Sequence, residues 1–132
     1  AAALGAVAPV APSIDAKFLR LTAKTGDATP LWVGSSTALP AGTTAYVFCG
    51  TTEGSTLCEV GGLKLLLPVG GQVWQGASTP ISGFGASIST QIPSSSGLGG
   101  ATLSAVVVLV FEDGTWLVSA RTGGPVIQDA LA

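Results

Sequence analysis

Glycine, proline, serine and threonine interrupt this sequence about every six to ten residues, and this spacing limits what the chain can fold into. The segments between them are short and rich in Val, Leu, Ile and aromatic residues, which is typical of β-strands bounded by turns. No window has the i, i+3, i+4, i+7 spacing of apolar residues that marks a long amphipathic helix. We therefore predict strands at about residues 18–23, 31–35, 43–49, 57–60, 63–67, 72–76, 86–92, 101–111 and 115–121.

Such short strands in one chain of 132 residues favour a single all-β domain, an antiparallel β-sandwich or jelly roll of about eight strands, with a small barrel as the alternative. We divide the chain into an extended apolar N-terminal arm at 1–16, a sandwich domain at 17–122 and a C-terminal tail at 123–132. Pro9 and Pro12 exclude a helix from the arm. The arm either crosses its own domain or adds a strand to a neighbour's sheet edge, unless it is simply disordered.

Charged side chains are scarce, with five basic and seven acidic residues in all and none between Leu65 and Phe111. So few basic groups exclude nucleic-acid binding, because phosphate recognition needs a basic stripe. The longest apolar run, Leu103 to Phe111, is too short for a membrane-spanning helix. A surface without charge either meets another protein or is wetted by Ser, Thr, Gln and backbone groups.

The last predicted hairpin indicates where another protein would bind. Asp113-Gly114 favours a two-residue turn that pairs Phe111 with Trp116 and places Trp116 in the core. The opposite face is then also apolar and needs a cover. That cover is either a second copy or a loop of the same chain, such as 76–86. We predict a subunit interface formed by this face and the N-terminal arm, with the residues Val106, Val108, Val110, Leu117, Leu4, Val7 and Val10.

The two cysteines lie symmetrically about Glu53-Gly54. A hairpin turned there would place Cys49 opposite Cys58 at a distance suited to a disulfide bond. We therefore predict a Cys49–Cys58 disulfide, and with it an oxidising compartment or a virion exterior. The alternative is a pair of reduced structural thiols.

No constellation of residues indicates catalysis. The chain has no His, so it lacks the usual general base and commonest metal ligand, and Ser-His-Asp and Cys-His sites are impossible within it. Most carboxylates fall at predicted turns or termini. Lys64 lies in an apolar segment and is a formal candidate for Ser-Lys chemistry, but we favour a lysine on the solvent face of a strand. We predict no enzymatic activity, no catalytic residue, no cofactor and no metal.

Exposed aromatic residues are the remaining binding feature. Trp32 and Trp74 both lie beside predicted turns, where a tryptophan can stack on a sugar ring, although a core position is the alternative.

These patterns together predict a non-enzymatic, self-assembling structural subunit, located on a virion surface as a coat, protruding or decoration protein, or outside the cell in a secreted filament. Its expected partner is another copy of the chain, without nucleic-acid contact or a membrane span, and the sequence identifies no glycan or host receptor. The alternative function is a small secreted module that binds carbohydrate or protein.

Overall fold

The computed structural model describes residues 13–94 and 98–128. It has a strand at each predicted position except 18–23, where residues 19–22 connect two strands instead. The described residues contain strands and turns but no helix, so the prediction of an all-β sandwich is confirmed. The strands are β1 Ile14–Phe18, β2 Ala23–Lys24, β3 Ala28–Leu39, β4 Thr44–Gly50, β5 Thr56–Val60, β6 Leu63–Leu67, β7 Trp74–Pro80, β8 Gly83–Gln91, β9 Thr102–Val110, β10 Trp116–Val118 and β11 Thr122–Gln128.

Two sheets pack face to face around the main core. One has the strand order β1-β3-β8, and the other has the order β2-β11-β9-β4-β7 with β10 also paired to β9. β7 lies beside β8 and β1 lies beside β11, so the sandwich curls at both sides. Alternate residues of each strand face inward, and the largest fully buried side chains of this core are Leu31, Val33, Val47, Ile92, Leu98, Leu103, Leu109 and Ile127.

The β5–β6 hairpin forms a third layer on the outer face of the larger sheet. Among the described strands it pairs only with itself, and its inward side chains pack in a second cluster with Phe48, Val69, Val106 and Val108. Val106 and Val108 consequently have no exposed surface. The expectation that the second apolar face of β9 needs a cover is confirmed. The cover, however, is this hairpin of the same chain, neither a second copy nor the loop at 76–86.

The hairpin between β9 and β10 has a different register from the predicted one. Phe111 N–H donates to the Thr115 carbonyl at 2.8 Å, and Gly114 adopts a left-handed φ of 89°. These features define a three-residue loop with a bulge at the glycine rather than a two-residue turn. Trp116 therefore pairs with Val110 instead of Phe111 and is 45% exposed, so its predicted core position is wrong.

The same shift of one residue moves Leu117 off the predicted interface face. Leu117 pairs with Leu109, a residue of the main core, whereas Val118 packs with Val110 against the hairpin cluster. A one-residue change of register exchanges the two faces of a strand. None of the four predicted interface residues on β9 and β10 thus forms an open apolar face in the described part of the chain.

The sandwich extends beyond both of its predicted ends. β1 begins at Ile14, within the predicted arm, and pairs with β3 of its own chain. β11 runs through the predicted tail to Gln128, antiparallel to β9 and parallel to β2. The predicted interface residues of the arm, Leu4, Val7 and Val10, lie outside the described residues.

The charge-free stretch from Leu65 to Phe111 supplies the buried strand β9 and the strands β7 and β8 at the side of the sandwich. Its exposed positions are mostly uncharged polar residues, among them Gln72, Gln75, Ser78, Ser82, Ser87, Ser89, Gln91, Ser94 and Thr102. Water therefore contacts hydroxyl and amide groups over most of this surface. Leu66 and Phe84 are the large apolar side chains that remain exposed in the described part of this stretch.

Candidate functional site

Large apolar side chains are exposed at several strand positions, and at two places two of them lie close together. The first is the outer side of the β1-β3-β8 sheet, where Trp32 and Phe84 are 36% and 66% exposed. The second is the outer side of the β5–β6 hairpin, where Leu57 and Leu66 are exposed. We call the first the aromatic groove; the residues that line it are Ser13, Ile14, Asp15, Trp32, Gly34, Ser35, Ser36 and Phe84.

Strand alternation directs Trp32 outward. Its neighbours Leu31 and Val33 are fully buried in the main core, so the side chain between them must point to the solvent side of the sheet. In the sheet register, Lys17 of β1 and Ser87 of β8 flank Trp32 on the two adjacent strands. The indole therefore lies in the middle of a three-stranded face with polar groups on both sides.

Two glycines make room for the indole. Gly34 and Gly85 are cross-strand partners beside Trp32. A Cβ on Gly34 would lie 2.9 Å from Trp32 Nε1, and a Cβ on Gly85 would lie 2.9 Å from its Cζ2. Gly85 also has a φ of +148°, which other residues rarely adopt. One edge of the indole thus rests against bare backbone, where a side chain would collide with it.

Polar groups surround the aromatic rings of the groove, which has a volume of about 410 Å³. Ser36 Oγ accepts a hydrogen bond from the Ser13 amide at 2.8 Å, and no described residue accepts its own proton. Ser35 Oγ already donates to the Thr37 carbonyl at 2.6 Å. Asp15 is exposed and offers a carboxylate. The groove therefore combines aromatic surface with both a donor and acceptors, as small-molecule sites commonly do.

Trp74, the other candidate platform, has a structural role. Its Nε1–H donates to the Gln91 carbonyl at 2.8 Å, and its ring is half-buried against the main core. This hydrogen bond links β7 to β8 across the open side of the sandwich. Of the two tryptophans proposed from the sequence as sugar platforms, Trp32 therefore remains.

The predicted disulfide is absent, because both cysteines are free. Cys49 lies in the main core, between Trp74 and Ala105 on the neighbouring strands, whereas Cys58 lies in the hairpin cluster opposite Leu65. The two thiols thus belong to different layers of the molecule. Strand β5 pairs with β6 rather than with β4, so the symmetric spacing of the cysteines does not bring them together.

Burial makes both thiols poor nucleophiles. Desolvation raises the pKa of the Cys49 thiol to about 12, and it also raises the pKa of Cys58. Lys64 lies exposed on the outer side of β6, so the interpretation of this residue as a solvent-facing lysine is confirmed.

Within residues 13–94 and 98–128, no three His, Cys, Asp or Glu residues come together in a way that could hold a metal ion. The described part of the chain also has no helix of the length and hydrophobicity needed to cross a membrane.

Comparisons with known proteins give little further information. Neither a protein-family model nor a curated protein sequence matches the chain. Among solved structures, the sporulation control protein Spo0M from Bacillus subtilis is similar, with a TM-score of 0.44 and 8% sequence identity. The match covers 91% of this chain and 50% of the Spo0M chain, so this chain spans about half the length of that structure. At this level of similarity, the comparison carries no argument about function.

Proposed function

We propose that this chain is a non-enzymatic β-sandwich module that binds carbohydrate in the aromatic groove. The observation that supports this proposal is the placement of Trp32: an indole held against glycine backbone on an outer sheet face, with hydroxyl and carboxylate groups beside it. A pyranose ring presents C–H groups on its faces and hydroxyls around its edge. The flat indole suits the former and the polar groups suit the latter.

The donors and acceptors of the groove complement sugar hydroxyls. Asp15 is an acceptor, and Ser36 retains its hydroxyl proton as a donor. Phe84 extends the aromatic surface on strand β8. A neutral oligosaccharide is the ligand class that uses all of these groups without requiring a countercharge.

The proposal is tested by titrating the protein with soluble β- and α-linked hexasaccharides and following tryptophan fluorescence and isothermal heat. We expect at least one to bind with a fluorescence change, and Trp32→Ala to weaken that binding by about tenfold or more, because an aromatic contact adds about 1 kcal/mol beyond the area it buries. Gly34→Ala should also weaken binding, since its Cβ would displace the indole.

Trp116→Ala is the matched control, because this tryptophan is similarly exposed but lies on strand β10, outside the groove. It should leave the affinity unchanged. Absence of binding to the whole panel at millimolar sugar, or an equal loss of affinity in the Trp116 and Trp32 variants, would refute the proposal.

A self-assembling subunit of a virion surface or secreted filament is the second proposed function. The apolar face at Val106 and Val108 does not support it, because the hairpin covers these residues. The exposed Leu57 and Leu66 on the outer side of that hairpin support it instead. A location on a virion or outside the cell would suit either function, and the two free cysteines lend that location no support.

A further inference from the structure

The outer side of the β5–β6 hairpin presents four side chains in two rows. Leu57 and Leu66 are cross-strand partners and form one row, with exposures of 61% and 67%. Glu59 and Lys64 are also cross-strand partners and form the next row. We call these four residues the hairpin face. We propose that it is a self-complementary contact surface through which two copies of the chain stack face to face, around a two-fold axis parallel to the strands.

The order of the residues selects this axis. A rotation about an axis parallel to the strands exchanges the two strands and keeps each row at its own level. Leu57 then lies over the partner's Leu66, and Glu59 lies over the partner's Lys64. Face-to-face sheets pack about 10 Å apart, which allows both kinds of contact. Each leucine meets a leucine, and each charge meets the opposite charge, twice in the dimer.

The other two-fold axis in the same plane gives a poor contact. It runs across the strands and would place the leucine row over the charged row. Glu59 and Lys64 would then lose water without gaining an opposite charge, which is unfavourable. In the described part of the chain neither residue belongs to an ion pair, since the ion pair found there joins Arg121 to Glu53. Charge complementarity therefore favours a second copy of this chain over an uncharged apolar partner.

The contact is small, so the dimer should be weak. Stable interfaces bury about 800 Å² on each partner, which is more than a face of two short strands supplies. Association should accordingly depend on protein concentration and weaken with added salt, because the charged pairs lie at the rim. The inference is independent of carbohydrate binding, since the hairpin and the aromatic groove share no residue.

Charge reversal tests the inference directly. Sedimentation of the full chain at low salt, from micromolar to millimolar concentration, should show a monomer–dimer equilibrium. Glu59→Lys makes the hairpin face wholly basic and Lys64→Glu makes it wholly acidic, so each variant alone should dimerise roughly tenfold more weakly. An equimolar mixture of the two variants should regain at least the association of the unaltered chain, because the two altered faces complement each other.

Glu112→Lys is the matched control, since it makes the same charge change at an exposed position on the β9–β10 loop. It should leave the dimer unchanged, and thermal unfolding should show that all three variants fold. The inference is overturned if the unaltered chain stays monomeric throughout the range. It is also overturned if the mixture associates no more than the separate variants, or if Glu112→Lys weakens the dimer equally. Sugar binding is measured at concentrations where the chain is monomeric, so failure of the dimer proposal would not affect the test of carbohydrate binding.

Discussion

Val108 has no exposed surface and packs between the larger sheet and the β5–β6 hairpin. Val108→Ala removes two buried methyl groups, each worth about 0.8 kcal/mol of transfer free energy. The space left behind adds a further cost, because the surroundings relax only partly. We expect the free energy of unfolding to fall by about 2–3 kcal/mol in total.

Urea unfolding followed by circular dichroism measures this change. With a slope of about 2 kcal/mol per molar urea, the midpoint should fall by roughly 1 M. Val126→Ala is the matched control, because it makes the same truncation at a valine of β11 that is 54% exposed. That control should change the free energy of unfolding by no more than about 0.5 kcal/mol.

The protein concentration distinguishes a cover from the same chain from a cover by a second copy. If the hairpin of the same chain shields Val108, the loss of stability should be equal at low and high protein concentration. A loss that appears only at concentrations where the chain associates would show that a second copy shields this face. A loss below about 0.5 kcal/mol would show that Val108 is not packed as described.

Two further predictions concern the thiols and the β9–β10 loop. In the folded protein, Cys49 should not react with a thiol reagent at neutral pH, because burial raises its pKa to about 12. Both cysteines should react once the protein is unfolded without reductant, since both are free. Finding no free thiols in the unfolded protein would contradict the structure. The Thr115 hydroxyl and amide donate to Asp113 and lower its pKa, so the folded loop is favoured at neutral pH, and this contribution is lost as the pH falls through the lowered pKa. Thr115→Val should raise the Asp113 pKa measured by NMR, and an unchanged value would refute this cause.

The fold class follows from the sequence because turn residues mark the ends of almost every strand. The register of the last hairpin does not follow, since Asp113-Gly114 suits a two-residue turn as well as a three-residue loop with a glycine bulge. Gly123-Gly124-Pro125 is typical of a break in a strand, so the sequence favours a tail where the structure has β11. In the structure the ladder shifts register between Gly123 and Val126, and this irregularity accommodates the proline.

The packing of the β5–β6 hairpin on β9 could not be predicted from local sequence patterns. Alternation in residues 57–60 and 63–67 predicts two strands, each with one apolar face, but no local signal shows that their shared face packs on Val106 and Val108. The disulfide prediction failed for a related reason. The spacing of Cys49 and Cys58 is symmetric, yet whether β4 pairs with β5 depends on the whole sheet order.

The sequence predicts one part of the aromatic groove, Trp32, but not the residues of β8 that complete it. Trp32 stands out because tryptophan beside a turn is a familiar platform. Phe84 and Gly85 do not, because they lie about fifty residues away along the chain and reach Trp32 only through the pairing of β3 with β8. The sequence also does not show that Trp74 is structural whereas Trp32 is open to a ligand, because this difference depends on the hydrogen bond from Trp74 to the Gln91 carbonyl.

The β5–β6 hairpin, the third layer of the molecule, also provides a route to aggregation. The hairpin closes its strand hydrogen bonds within itself and is attached to the sandwich through side-chain packing and a short junction at Thr51, Thr52 and Gly70. We therefore expect it to detach more readily than either sheet unfolds. Each such event would expose the apolar side chains of Val106 and Val108, and an exposed apolar patch promotes aggregation. The rate of aggregation at high protein concentration would then depend on how often the β5–β6 hairpin detaches, rather than on the melting temperature of the whole domain.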